Sequence, residues 1–267
     1  MKGIIMAAGS GSRLHPMTLY VSKHLLPVYD RPMIYFPLAT LMAAGVREIL
    51  VIVRPEDQQA YRRVVGDGSQ WGIRIAVAPQ PQASGIADGL VLGRSFVGED
   101  RVCLILGDNL FVGEAFVARL ARLSRETSGT MLFGNRVTNP SPFGVGVFDG
   151  DDQLIDIEEK PAMPRSDVAI VGLYVYDSSA YEIAKNLPMS ARQEREITTL
   201  NRHYIDGGGA SFELLPPSTL WRDLGTADAL LDASILIRSN LRAGLAVPRT
   251  PDDVARENGW IDPEIRG

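Results

Sequence analysis

Gly3-Ile4-Ile5-Met6-Ala7-Ala8-Gly9-Ser10-Gly11-Ser12-Arg13-Leu14 joins an apolar run to a glycine-rich turn. The apolar part has the length and uniformity of a strand buried on both faces. The glycines after it let the backbone approach a phosphate chain and aim N–H groups at it. Arg13 adds a planar fork for phosphate oxygens, and Lys23 offers a second point charge. The spacing is neither that of a P-loop, G-x-x-x-x-G-K-[ST], nor that of the dinucleotide fingerprint G-x-G-x-x-G. A glycine-rich turn alone can equally be a tight loop. Its combination with Arg13 and with Ser22-Lys23-His24-Leu25-Leu26-Pro27 is what makes the pattern specific.

Outward from this stretch, helical and strand-like patterns alternate. The spacing predicts a helix over 32–44 with Gly45 as its C-cap, a strand over Glu48–Val53, a helix over 56–65 and a strand over 73–78. A helix over 85–96, a strand over Val102–Leu106, a helix over 114–128 and a strand over 130–133 continue the series. Such a succession predicts an α/β fold: a Rossmann-like, mixed, mostly parallel central sheet flanked by helices. The second half changes rhythm. Residues 145–148 and 154–157, joined by Asp149-Gly150-Asp151-Asp152, read as a hairpin; 169–176 reads as a longer strand, and 198–204 and 224–241 as helices. This is a β-rich insertion beside the sheet. The absence of a repeat or linker predicts one domain, with its ligand crevice at the C-terminal ends of the parallel strands.

Composition closes several other routes. Lys and Arg number 27 against 32 Asp and Glu, a net charge of -5, so no basic field exists to hold a nucleic-acid backbone. An anionic ligand must be held by a few placed cations and backbone N–H groups. The single Cys103 lies in an apolar strand and reads as buried rather than nucleophilic; with three scattered histidines it makes no zinc set. No stretch approaches the apolar length that spans a membrane, and the N-terminus enters a strand without a charged leader, so the expectation is a cytoplasmic protein with no membrane partner.

Three further clusters carry chemistry. Leu106-Gly107-Asp108-Asn109 puts a carboxylate at the tip of a strand, placed to hold Mg²⁺ against phosphates, though Gly-Asp-Asn is also an ordinary turn. Trp221-Arg222-Asp223-Leu224-Gly225-Thr226 offers a second carboxylate; Asp223 could instead be the N-cap of the last long helix. Glu158-Glu159-Lys160-Pro161 could set a lysine against a sugar phosphate while Glu159 accepts hydroxyls, or be a solvated strand end. Arg192 is another phosphate ligand or a surface arginine.

Together with Gly66-Asp67-Gly68-Ser69-Gln70-Trp71-Gly72, Gly172-Leu173-Tyr174 and Glu196-Ile197-Thr198, these stretches run in the order found in the glucose-1-phosphate thymidylyltransferases. The chain resembles that branch of the sugar nucleotidyltransferase family over nearly its whole length. The resemblance implies Mg²⁺-dependent joining of an NTP, dTTP by family pattern, to glucose 1-phosphate with release of pyrophosphate. It implies that Ala8, Gly9, Gly11, Ser12, Arg13, Lys23, Gln80, Gly85 and Asp108 bind the nucleotide, and that Asp108 and Asp223 ligate the metal. Gly144, Glu159, Lys160, Ile170, Arg192 and Trp221 match the sugar-phosphate side, and Arg13, Lys23, Asp108 and Lys160 the catalytic set. By the same pattern, 1–135 is mainly the nucleotide-binding half, 136–240 the sugar-phosphate half with its β-rich sugar-binding insertion, and 241–267 a short helical tail of one domain. A homotetramer or dimer is implied as well. The departures are specific: Ala8 replaces a Gly, Ser12 a Thr, His24 a Gln, Asp88 a Gln, Phe143 a Tyr, and Ala83-Ser84-Gly85 a Pro-Asp-Gly. Val171 stands for a Thr. Losing two hydroxyls from a sugar pocket can change the preferred sugar, and UTP or another hexose phosphate stays open as the alternative. A catalytically silent nucleotide-sugar sensor would need a lost catalytic group, and none is lost. The family pattern continues past the position of Gly267 into helices of an effector site, so its feedback inhibition is not expected to carry over unchanged.

Overall fold

The computed structural model describes residues 1–126 and 128–262. Strand β1 (Lys2–Ala7) is the opening apolar run, buried from Gly3 onward. A short hairpin follows, β2 (Pro27–Val28) with β3 (Arg31–Pro32), and then helix α1 (Tyr35–Ala43). The helix expected from 32 starts later because Pro32 is spent opposite Pro27 in that hairpin. Gly45 takes φ 85 just past the helix end, a conformation that favours glycine. β4 (Glu48–Val53), α2 (Gln58–Val65) and β5 (Arg74–Pro79) match the alternation.

The helix expected over 85–96 divides. Gly85 stands outside it at φ 97, and α3 (Asp88–Leu92) and α4 (Arg94–Val97) meet at Gly93. β6 (Val102–Leu106) runs almost directly into β7 (Asn109–Val112), a strand too short for periodicity to flag. Helix α5 (Glu114–Glu126) follows; the expected extension to 128 passes through residue 127, outside the described residues. β8 (Thr130–Arg136) precedes the hairpin of β9 (Gly144–Phe148) and β10 (Leu154–Glu159), whose turn is pinned by Asp149 Oδ1 accepting from the N–H groups of Asp151 and Gln153. β11 (Val168–Tyr176) is buried throughout. Then come α6 (Ala180–Asn186), α7 (Ile197–Asp206), β12 (Ala210–Leu214), β13 (Leu220–Asp223), α8 (Ala227–Ala243) and α9 (Pro251–Glu257). Of these, α6, β12 and β13 carried no sequence expectation. Residues 263–267 of the expected tail lie outside the described residues.

The chain divides into two compact units that interleave along the sequence. One comprises Lys2–Gln82, Ile105–Ala121 and the chain from Ser218 onward. In it β1 runs parallel to β4 in the register Gly3↔Ile49 to Ala7↔Val53, and β4 runs parallel to β5. The chain leaving β6 stays against β1, where the Gly107 N–H donates to the Met6 carbonyl at 2.9 Å. β13 pairs antiparallel with β7, from Leu220↔Val112 to Asp223↔Asn109. Beneath this ribbon lie Val28, Met33, Phe36, Leu110, Leu224, Ala233 and Ile237. Each large apolar side chain so buried contributes about 1.5–3 kcal/mol.

The other unit holds Ala83–Leu104 and Arg122–Pro217. β8 pairs antiparallel with β11 and parallel with β12, and the β9–β10 hairpin joins β11 through Ala169↔Val145. Among the described residues no helix is long and apolar enough to cross a membrane.

Candidate active site

In the first unit, the candidate site residues sit where the parallel strands end. The glycine turn leaves β1, the Gln80 N–H donates to Val53 O as the chain leaves β5, and Asp108 follows β6. Gly11 adopts φ 68, its carbonyl receives the Thr18 hydroxyl at 2.8 Å, and Ser12–Leu14 curl into a single 3-10 turn. Lys23 runs beneath the loop: a Cβ on Gly9 would lie 3.5 Å from its Cε and 3.7 Å from its Nζ. That Nζ donates to Asp108 Oδ2 at 2.5 Å. Ser12 and Arg13 are exposed and Ala8 is buried.

Asp108 is buried, which alone would raise its pKa, yet the Lys23 ammonium beside it holds the carboxyl below the usual range. Behind it His24 is fully buried and kept neutral, with its pKa lowered to about 3 by burial and then by the Lys23 charge. Its Nδ1 lies 3.0 Å from the Tyr61 hydroxyl, which is 2.8 Å from Ser22 Oγ. Gly107 makes room for the ring, since a Cβ there would stand 2.7 Å from His24 Cδ2.

The pairing of β13 with β7 brings Asp223 opposite Asn109, beside Asp108 in sequence, and the Leu224 N–H donates to the Asp108 carbonyl at 2.9 Å. Asp223 Oδ1 accepts from the Gly225 N–H at 2.7 Å. A side chain on Gly225 would collide with the Arg13 guanidinium, so the glycine lets that cation lie over the Asp223 turn. Burial, and then the charge of Asp108, push the Asp223 carboxyl above its ordinary pKa. Two carboxylates thus repel one another in a site where one is left under-compensated. A divalent cation would cancel that repulsion. Among the described residues no group of three or more His, Cys, Asp or Glu side chains gathers as a metal site. Mg²⁺ asks for less: one or two carboxylates, with water and substrate phosphates completing its shell. The donor set fits it.

The other unit carries the second cluster. Glu159, at the end of β10, accepts from the Thr198 hydroxyl at 2.6 Å and from Arg192 Nη2 at 3.3 Å, with Lys160 Nζ 3.5 Å away. Lys160 itself sits at φ 45, a left-handed backbone that costs a non-glycine residue about 1–3 kcal/mol. Arg192 grips Glu196 through Nε at 3.1 Å and Nη2 at 2.8 Å. Gly144 lies across from Glu159, where a Cβ would stand 3.5 Å from Thr198 Oγ1 and 3.7 Å from Glu159 Oε2. Ile170 is a buried residue of β11, opposite Gly134.

The structure therefore brings Gly9, Gly11, Arg13, Lys23, Asp108 and Asp223 together in one unit, and Gly144, Glu159, Lys160 and Arg192 together in the other. Trp221 belongs with the first group: its buried indole N–H donates to Asn109 Oδ1 at 2.7 Å, supporting the carboxylate ribbon. Sequence reasoning named no role for Asn109, Thr198 or Glu196. Thr198 and Glu196 lay inside a quoted stretch, but only the fold shows which acid and which arginine they orient.

A family model described as nucleotidyl transferase matches residues 2–240. A glucose-1-phosphate thymidylyltransferase of Neisseria meningitidis is 46% identical over 264 residues, spanning 99% of this chain and 92% of that protein. One from Mycolicibacterium smegmatis is 47% identical over 263 residues, spanning 98% and 91%. A Bacillus anthracis crystal structure, described as a glucose-1-phosphate thymidylyltransferase in complex with a sucrose, superposes with a TM-score of 0.83 at 37% identity, covering 89% of this chain and 95% of that one. A UDP-glucose pyrophosphorylase complexed with UDP-glucose has a TM-score of 0.77 at 20% identity, covering 90% and 98%, and shares the fold alone. The fold is the mostly parallel, helix-flanked α/β sheet with antiparallel additions that the alternation predicted.

Proposed function

Since this chain belongs to the nucleotidyl transferase family, we propose that it is a sugar-1-phosphate nucleotidyltransferase that joins dTTP to glucose 1-phosphate and releases pyrophosphate. The observation that carries the reading is the convergence of the glycine turn, Arg13, Lys23, Asp108 and Asp223 at the ends of parallel strands in one unit.

The sugar phosphate is largely dianionic at neutral pH, so its oxygen is already a nucleophile and asks for no general base. What opposes the reaction is repulsion between that anion and the triphosphate. The N–H groups of residues 9–12 cradle the triphosphate, and Arg13, exposed above them, takes the departing phosphates. Lys23, paired with Asp108 at rest, is within reach of the same loop and exchanges the carboxylate for phosphate oxygens. Asp108 and Asp223 would hold the Mg²⁺, which when bound supplies charge neutralisation and polarises phosphoryl oxygens. Lys160 and Arg192 hold the sugar phosphate, while Glu159 accepts from hydroxyls. The family resemblance assigns the base to Gln80 and Gly85. The burial of Cys103, which drives its thiol pKa up to about 12, agrees with a reaction that uses no covalent enzyme intermediate.

The same reading has the chain work as one nucleotidyltransferase domain, in the cytoplasm, as a tetramer or dimer; light scattering reports the last. Of the second reading, UTP or a different hexose phosphate, the sugar part is favoured by one feature. Phe143 and Val171 bring no hydroxyl to the strands that carry Gly144 and Ile170.

Pyrophosphate release from each of four NTPs against a panel of sugar 1-phosphates tests the proposal. The expected result is fastest turnover with dTTP and glucose 1-phosphate, reduced at least about 10²–10³-fold in Asp108→Asn. Turnover with no pair would overturn it, and a different preferred pair would move it to the second reading.

A further inference from the structure

Ser84, Gly85 and Asp88 on one side and Arg195 on the other are locked by backbone and side chains together. The Arg195 N–H donates to the Ser84 carbonyl at 2.7 Å, and the Arg195 carbonyl accepts from the Ala87 N–H at 3.3 Å. Residue 195 is thus threaded between the two ends of the Gly85 turn. Gly85, at φ 97, must be glycine for this to happen, because a Cβ would run into the Arg195 carbonyl and stand 2.8 Å from its nitrogen. The side chains repeat the join. Arg195 Nη1 donates to Asp88 Oδ1 at 2.6 Å, and Ser84 Oγ donates to Asp88 Oδ2 at 2.5 Å, so both oxygens of a buried carboxylate are used.

The segment that carries Arg195 also carries Arg192, three residues earlier, and Glu196, the residue that Arg192 grips. Ser190 completes this segment by donating its hydroxyl to Glu196 Oε1 at 2.7 Å while accepting from the Arg192 N–H at 3.2 Å. A shift of the Gly85 turn therefore moves Arg195, and with it the backbone on which Arg192 stands. An ion pair that is mostly out of water and braced by a second donor, Ser84, resists such a shift far better than an exposed pair would.

We propose that Asp88 and Arg195 are a positioning pair that couples the Gly85 turn, which the functional reading assigns to the base, to the Arg192 segment, which it assigns to the sugar phosphate, both segments lying in one unit of the fold. The inference rests on the functional reading given above. Its consequence is that ordering either segment with one substrate preorganises the other, which lowers the cost of binding the second. Ser84 sets the register of the carboxylate, and Gly85 permits the close approach.

The test is a double-mutant cycle with Asp88→Asn, Arg195→Met and the double variant, in steady-state kinetics with both substrates varied. Thermal unfolding is measured in parallel, and Arg195→Lys serves as the conservative variant. The expected result is that each single change raises the Michaelis constants for NTP and for sugar phosphate together, by about tenfold. The double variant should be no worse than either single one, and Arg195→Lys should recover part of the loss. The proposal is overturned if Arg195→Met raises only the sugar-phosphate constant while Asp88→Asn changes neither, which would make Arg195 a direct phosphate ligand. It is also overturned if the folded fraction falls while both constants of the remaining enzyme stay put, which would make the pair purely structural. If Asp88→Asn does not fold, the Arg195→Lys constants alone decide between these outcomes. Failure of the functional reading looks different, because the wild-type chain then turns over no pair at all.

Discussion

His24 shows how one substitution in a recognisable motif changes the physics of a site. The family pattern places Gln there; here a fully buried imidazole backs the Lys23–Asp108 pair and bonds to Tyr61. Burial first, and the Lys23 charge second, lower its pKa to about 3. An unfolded histidine titrates near ~6.5, so the unfolded chain gains a proton before the folded one does. The stability this residue contributes is therefore complete above about pH 6.5 and is lost progressively as the pH falls toward 3, at about 1.4 kcal/mol per unit. Between pH 7 and pH 5 the loss comes to about 2 kcal/mol. His24→Gln should remove that part of the slope, read from denaturant unfolding at the two pH values without added metal. Equal slopes in the two proteins would mean that the ring is not held neutral. Residue types alone could not have foreseen this, because a histidine beside a lysine is as often exposed as buried.

Among the elements, the ribbon of β7 and β13 decides most. Each strand has four residues, too few for a period to stand out, and neither was expected. One consequence is that Asp223 ends a strand and leaves the capping of α8 to Thr226, whose hydroxyl accepts from the Ala229 N–H at 3.2 Å. The alternative reading of Asp223 as an N-cap is thereby corrected. The other consequence is Trp221, which supports Asn109 from the facing strand. Trp221→Phe keeps an aromatic ring but deletes that buried hydrogen bond and leaves a small cavity where the second ring stood. A loss of about 1–3 kcal/mol is expected, seen as a lower denaturation midpoint, with impaired metal-dependent turnover as the carboxylates lose their register. A raised Michaelis constant for the sugar phosphate with unchanged stability would instead make Trp221 a sugar contact.

Over the whole molecule, a chain of net charge -5 is asked to collect two polyanions. On the proposed reading it does so with a few cations, each poised against a carboxylate: Lys23 on Asp108, Arg192 on Glu196 and Glu159, Lys160 beside Glu159. Such pairing keeps the cations ordered without a general basic surface. Binding to the folded state alone must then stabilise the chain by mass action. With Mg²⁺ present, dTTP at a hundred times its Kd should add about 2.7 kcal/mol, seen as a rise of several degrees in Tm. Asp108→Asn should lose most of that rise. An equal rise in the variant would place the nucleotide away from Asp108.

By itself the sequence determined the alternation of strands and helices, the glycine turn after the first strand, and the membership that the ordered motifs carry. These are local properties: a run of apolar residues is buried wherever it folds, and a glycine supplies its backbone freedom in any context. The tertiary structure alone decided which charges meet. Lys23 with Asp108, Asp223 beside Asn109, and Asp88 with Arg195 are partners distant in sequence whose residue types would fit a dozen other pairings. Register in a four-residue ribbon and the absence of a Cβ at Gly85, Gly107 and Gly225 choose among those pairings, because close approach and loss of water give a charge its partner only after the backbone has closed around both.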